Sequence, residues 1–259
     1  MSMAREALAR GELERALALQ TAVVEANPSD SPARLFLFEM LVLAGRGAEA
    51  FLHLELVESA DPAWPEVRRG FERVLQAQAR REPMLRRPRF FLEPPAHARR
   101  RWNAALNHRQ GLHERARHWL DAADSVTPEV RGFLDGREFV GFRDSDDRFA
   151  SVLEVIAGGK YCWVPFEQIA QVKFQPAEFA LDSLFRPIDL VLEDGREVAV
   201  TLPLTYPSSC DAGEQFALAQ AVDWKDDNGA LTIGIGAKVF NSGDEEISLS
   251  ECQMIEFTN

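Results

Sequence analysis

Apolar positions recur at helical spacing through the first half of the chain and alternate through the second. In the first half, Val67, Phe71, Val74 and Leu75 fall on one face of the stretch Pro65 to Gln78, which predicts a helix. From about residue 136 the period drops to two. Leu153, Val155 and Ile156, then Tyr161 and Trp163, flank Ala157-Gly158-Gly159-Lys160, a hairpin signal because glycine accepts the positive φ of tight turns. Ile188, Leu190 and Leu192 alternate up to Glu193-Asp194-Gly195, and Val198, Val200 and Leu202 resume beyond it. Asn228-Gly229 precedes Leu231, Ile233 and Ile235, and Ser242-Gly243-Asp244 precedes Ile247 and Leu249. A last strand is predicted around Met254 to Phe257, one helix after Pro176, and another from Cys210 to Val222. The fold class expected is α+β: N-terminal tetratricopeptide-like helical hairpins followed by a mainly antiparallel β-sheet domain.

The helical half carries a repeat. Gly11 and Gly45 are 34 residues apart, as are Ala16 and Ala50, Val23 and Val57, Ala26 and Ala60, and Pro28 and Pro62. Gly111, Ala116, Ala123 and Pro128 repeat the pattern, with the same distance of 17 from glycine to proline. A 34-residue period is that of the tetratricopeptide repeat, in which small residues sit where two helices touch. The second helix of each pair is expected to run up to its proline, at Ala26-Asn27-Pro28 and at Ala60-Asp61-Pro62. Ser31-Pro32 reads as an N-cap followed by proline at the first helical position.

Charge divides the chain at the same place. The net charge is -12, yet residues 1–130 sum to +1 and residues 131–259 to -13. Two domains are expected: residues 1–130, a tetratricopeptide-like helical repeat domain, and residues 131–259, an acidic and mostly antiparallel β domain. The acidic half argues against nucleic acid, since phosphates are repelled. No apolar run approaches the roughly 20 residues of a membrane span. The first residues lead directly into a charged amphipathic pattern without the apolar stretch of a signal peptide, so a cytoplasmic location is expected. Cys162, Cys210 and Cys252 form no C-x-x-C pair and read as reduced, partly buried thiols. Arg80, Arg81, Arg86, Arg87, Arg89, Arg99, Arg100 and Arg101 crowd one joint, with Phe90 and Phe91 among them. They are expected to dock on the acidic half or on a protein surface.

Candidate chemistry is sparse. Asp144-Ser145-Asp146-Asp147-Arg148 begins like a calcium loop, but Phe149 stands where glycine is required and Val155 where the bidentate glutamate belongs. Turn hydrogen bonding or a salt bridge to arginine is the better account. His108, His113 and His118 recur every five residues, a spacing that turns them away from one another on a helix. Gly234-Ile235-Gly236 lacks the third glycine of a dinucleotide fingerprint and fits a strand closely approached by another backbone. No metal, cofactor or catalytic activity is expected, because no nucleophile, base and orienter can be named along the chain.

Several stretches, taken in order, resemble the ImpE/TagJ family. They are Phe142-Arg143-Asp144-Ser145-Asp146-Asp147-Arg148, Leu153-Glu154-Val155-Ile156, and Tyr161-Cys162-Trp163-Val164-Pro165-Phe166 with Ile169. Leu202-Pro203-Leu204-Thr205-Tyr206-Pro207, Asp223-Trp224 and Gly234-x-Gly236 follow. Asp144, Asp146, Asp147, Arg148, Trp163, Pro165 and Tyr206 are the structural-motif residues of this set. Ala180 to Phe185 departs from it, with Phe185 where the family carries tryptophan. The resemblance implies an accessory protein of type VI secretion, without catalytic residues. Its implied partners are the small subunit of the contractile sheath and, in some members, the ClpV-type unfoldase.

Stacked helix pairs offer a concave surface suited to a partner helix. A docking trough is expected near Leu37, Phe38, Leu41 and Leu54, with Arg86 and Arg87 as further contacts; the same apolar residues would equally serve as core between helices. Two other readings compete with the adaptor: a general tetratricopeptide-type scaffold or chaperone, and an enzyme whose site lies in the sheet.

Overall fold

The computed structural model describes residues 2–81, 87–226, 229 and 231–258. Helices come first and strands after, as the change of period predicts. Two helix pairs open the chain: α1 (Met3–Ala9) with α2 (Leu13–Ala26), and α3 (Ser31–Leu43) with α4 (Gly47–Glu55). A long helix α5 (Trp64–Arg81) follows, then a third pair, α6 (Ala96–Arg109) and α7 (His113–Asp124).

The repeated glycines have a specific local task. Gly11, Gly45 and Gly111 adopt φ of 80°, 73° and 72° just past the first helix of each pair. Each donates its N–H to the carbonyl three residues back (Leu8, Val42, His108) at 2.8–3.0 Å. The following N–H reaches five residues back, to Ala7, Leu41 and Asn107, at 2.8–3.0 Å. This is the left-handed helix stop that satisfies otherwise orphaned carbonyls, and glycine enters it without a Cβ clash. Ala16, Ala50 and Ala116, five residues on, are all 0% exposed.

Two local expectations are corrected here. Asp30, not Ser31, caps α3 by accepting the Ala33 N–H at 2.9 Å, while Ser31 Oγ accepts the Glu58 N–H at 2.9 Å. Helix α4 stops at Glu55, well short of Pro62, because the Leu56 and Val57 N–H groups turn to His53 and Leu54 three residues back.

The strands build one large sheet and two small ones. They are β1 (Arg131–Leu134), β2 (Arg137–Val140), β3 (Phe142–Asp144), β4 (Val152–Ala157), β5 (Lys160–Pro165), β6 (Ile169–Phe174), β7 (Phe185–Leu192) and β8 (Glu197–Pro203). Then come β9 (Val222–Asp226), β10 (Thr232–Gly236), β11 (Phe240–Ser242), β12 (Glu245–Ile247) and β13 (Met254–Phe257). The eight-stranded sheet runs β2-β1-β13-β6-β7-β8-β4-β5, with every pairing antiparallel. Strands β9 and β10 pair separately, and β3, β11 and β12 form a third sheet.

The hairpins at Gly158-Gly159 and Asp194-Gly195 join β4 to β5 and β7 to β8, and Ser242-Gly243 turns between β11 and β12. Of the Asn228-Gly229 turn, Asn228 lies outside the described residues. The segment from Cys210 to Val222 is not one helix. A 3-10 turn (Ser209–Ala212) and a short helix α8 (Glu214–Ala217) are split by Gly213 at φ 123°, outside any helical conformation. The helix expected after Pro176 is a 3-10 turn at Ala180–Ser183.

Helices and sheet share their interiors. Leu37, Phe38, Met40 and Leu41 of α3 pack in one core with Ile156, Leu181, Leu184 and Phe185. Trp102 of α6 packs edge-on to Trp163 of β5, ring centroids 6.0 Å apart. A second core inside the sheets centres on Phe142, Phe166, Phe240 and Phe257, with Phe142 stacked on Phe240 at 5.2 Å.

Candidate functional site

The acidic motif folds into the interior of the protein. Asp144 ends β3, and the loop to β4 turns it, Asp146 and Arg148 inward; Asp144 is 1% exposed and Asp146 0%. The loop is self-bonded: Asp144 Oδ1 accepts the Asp146 N–H at 2.9 Å, and Asp146 Oδ1 accepts the Arg148 N–H at 2.8 Å. Such side-chain-to-backbone turns are what short acidic residues do in loops. Arg148 then grips Asp146 with Nε at 2.9 Å and Nη2 at 2.6 Å, a bidentate ion pair. Asp146 Oδ2 also accepts the Gly234 N–H at 2.9 Å, and Asp147 Oδ2 accepts the Thr232 N–H at 2.8 Å, which ties the loop to β10.

Beside this loop lies an ionic centre that the sequence reading does not assemble. Lys238 places Nζ 3.2 Å from Asp144 Oδ2 and 3.2 Å from Glu154 Oε2. Arg81, at the end of α5, donates Nε and Nη2 to the two oxygens of Glu154 at 2.8 and 2.9 Å, and Nη2 also to the Thr205 carbonyl. Lys238 lies over the rings of Phe149, at 4.2 Å, and Tyr206, at 4.8 Å. Tyr206, fully buried, donates its hydroxyl to Asp144 at 2.8 Å and accepts the Val239 N–H at 3.1 Å. Trp163 donates Nε1 to Tyr161 at 2.7 Å, and Pro165 closes the edge strand β5, where its missing N–H is tolerated.

The electrostatics follow from burial and pairing. Burial opposes the charge on Glu154, but Arg81 and Lys238 outweigh it and hold the carboxyl down to about 2. Burial pushes Asp144 up, against the pull of Lys238, and neighbouring Asp146 adds to the rise. Burial and then Asp144 raise the Tyr206 hydroxyl. Every charged group of this centre has a partner inside the chain, and its geometry makes it a bolt between α5, the sheet and β10. No group of three or more His, Cys, Asp or Glu among the described residues could hold a metal ion.

Gly234 and Gly236 make room for this packing. A Cβ on Gly234 would lie 2.2 Å from the Tyr206 ring, and one on Gly236 would lie 2.0 Å from the Ala221 carbonyl. The close approach at Gly234 is thus to a side-chain ring, and at Gly236 to backbone.

The expected trough residues are placed differently. Leu37, Phe38, Leu41 and Leu54 are 0–1% exposed and serve as core between helices, so their side chains line no surface. Arg86 lies outside the described residues, and Arg87 is exposed. An apolar groove does exist between α4 and α5, of about 510 Å³, lined by Ala48 and Phe51 on one side and Leu75 and Ala79 on the other. Phe51 is 40% exposed there, and Leu52 of the same helix and Leu56 just past its end are 61% and 60% exposed.

Paired helices are thus bolted to an antiparallel sheet by a buried ionic centre. Residues 136–256 match the family model described as ImpE protein. The chain is 26% identical over 263 residues, 98% of its own length and 91% of the other's, to the type VI secretion system accessory component TagJ of Pseudomonas aeruginosa. Its fold matches the crystal structure of protein VPA1032 from Vibrio parahaemolyticus with a TM-score of 0.89 at 22% identity, covering 100% of this chain and 98% of that one. Residues 136–256 are thus similar to ImpE proteins, and the chain along nearly its whole length is similar to TagJ.

Proposed function

We propose that this protein is an accessory component of a type VI secretion system and works by binding other proteins of that apparatus. The observation that carries the reading is the relationship to TagJ, which runs along 98% of the chain and so takes in helices and sheet alike. No helix among the described residues is long and apolar enough to cross a membrane.

The finer reading names surface and partners. The groove between α4 and α5 takes an amphipathic helix of the small sheath subunit, with the side chain of Phe51 as its exposed anchor; aromatic anchors in apolar grooves commonly dominate such contacts. Arg87 supplies a contact for acidic side chains, and the ClpV-type unfoldase is a second partner. In this division of labour residues 1–130 carry the docking surface and residues 131–259 support it.

The test is co-purification of the full chain with the sheath subunit and the unfoldase encoded in the same genome. Phe51→Asp and Ala48→Arg are expected to weaken capture of the sheath subunit at least tenfold while leaving the melting temperature in place. Undiminished capture by both variants would remove the groove from the proposal. Failure of the unaltered chain to capture either protein would remove the partners.

A further inference from the structure

We propose that Ser151, His97 and Glu167 form a nucleophile, base and carboxylate that accept an acyl group from small neutral carboxylic esters. The site lies apart from both the groove and the ionic centre, and it goes beyond the accessory role. Three separate elements build it: α6 supplies His97, the turn before β4 supplies Ser151, and the 3-10 turn after β5 supplies Glu167.

His97 Nδ1 lies 2.8 Å from Ser151 Oγ, and His97 Nε2 lies 2.5 Å from Glu167 Oε1. A carboxylate only accepts hydrogen bonds, so Nε2 carries the proton toward Glu167 and Nδ1 is left as the acceptor facing the serine. A base with one ring nitrogen on the hydroxyl and the other on an orienting carboxylate is the arrangement that activates a serine. Arg101 adds a donor, its Nε 2.7 Å from Ser151 Oγ, which favours negative charge developing on that oxygen.

The serine borders open space. A cavity of about 370 Å³ is lined by Ser151, Glu167, Phe142, Phe166, Arg101 and Arg143, with Asp124 and Glu129 at its wall as well. Arg101 is already paired with Asp124 at 2.5 Å and Arg143 with Asp147 at 3.2 Å. With both cations paired and Glu129 and Glu167 also lining the space, an anionic substrate gains nothing there, whereas a neutral acyl chain fits against the two phenylalanines.

The chemistry balances with water alone. Ser151 Oγ bonds to the ester carbonyl carbon as its proton passes to His97 Nδ1. The ester C–O bond then breaks, and the leaving alcohol takes that proton. Water, deprotonated by the same nitrogen, attacks the acyl-serine, releases the carboxylic acid and restores the serine. Glu167 is a positioning residue in this scheme, since it touches the imidazole and not the ester.

The test is incubation of the purified full chain with a reporter-tagged alkyl fluorophosphonate, followed by intact mass measurement and mapping of the labelled peptide. Labelling at Ser151 in the folded protein, lost in denaturant, is expected. Ser151→Ala should abolish it, and His97→Gln should slow it about a hundredfold or more, the typical contribution of a general base. Glu167→Gln should slow labelling and shift its pH profile, with recovery in Glu167→Asp. Hydrolysis of p-nitrophenyl acetate should show a burst that Ser151→Ala lacks. Absence of label at Ser151, or equal labelling of folded and denatured chain, would overturn the site. The unaltered chain decides this even if a variant fails to fold, because the label is mapped to a residue.

Discussion

Arg81 and Glu154 lie 73 residues apart in the chain and face each other with side chains that are both 0% exposed, joined by bonds of 2.8 and 2.9 Å. Burying two charges gives back little net stability, but removing one partner strands the other in a medium that cannot solvate it. Glu154→Ala strands Arg81 and takes from Lys238 one of its two carboxylates. A loss of roughly 3–5 kcal/mol is expected, read from the midpoint of urea unfolding. A loss under 1 kcal/mol would mean that water reaches this centre.

The three repeat glycines should differ in tolerance. All hold positive φ, so alanine costs about 1–2 kcal/mol from backbone strain alone. At Gly111 nothing else stands within 4 Å, and at Gly11 the new Cβ would meet only the end of the Gln220 side chain. At Gly45 it would meet Cys210 Sγ at 2.7 Å and Cβ at 3.1 Å. Gly45→Ala should therefore be the most damaging of the three in thermal melts.

Stability should fall as pH rises toward neutrality because of Glu39. This carboxylate of α3 accepts the Leu181 N–H at 3.0 Å and is 4% exposed; burial pushes it up to about 7. An acid that ionises late in the folded state keeps its proton there when the unfolded chain has released it. Its contribution is full below about pH 4.5, the ordinary range for glutamate, and lost as pH rises through 7. The swing is of the order of 3 kcal/mol. Glu39→Gln should flatten the difference in unfolding midpoint between pH 5.5 and pH 8; an unchanged difference would point to another group.

Burial raises Cys162 and Cys252 to about 11. At pH 8 only about a thousandth of each is thiolate, the reactive form. Both should resist a maleimide for hours in the folded protein and react at once in guanidinium, as followed by mass spectrometry.

What the sequence reveals depends on whether a structural need is local. Gly11, Gly45 and Gly111 are visible because each helix stop calls for the same residue at the same offset. The turns at Gly158-Gly159 and Gly195 are visible for the same reason. The ionic centre is not: Arg81, Glu154 and Lys238 meet across three distant parts of the chain, and pairing at such range leaves no period. The burial of Leu37 and Phe38 does have a signal. Helix α3, from Leu35 to Leu43, is apolar on nearly every face, which marks a helix enclosed on all sides, not the wall of a trough. Ser151, His97 and Glu167 come together only through tertiary packing, so no spacing along the chain announces them.

Strand β13 lies between β1 and β6, pairing Ile255 with Leu134 on one side and with Val172 on the other. During synthesis β1 and β2 therefore emerge more than a hundred residues before the strand that joins them to the rest of the sheet. Until the ribosome has released residues 254–257 they can form only an isolated hairpin, and two-stranded hairpins are marginal in water. Completion of the sheet thus waits on β13, and a nascent chain stalled before Met254 would leave β6 with an open edge for chaperones, or for other nascent chains, to find.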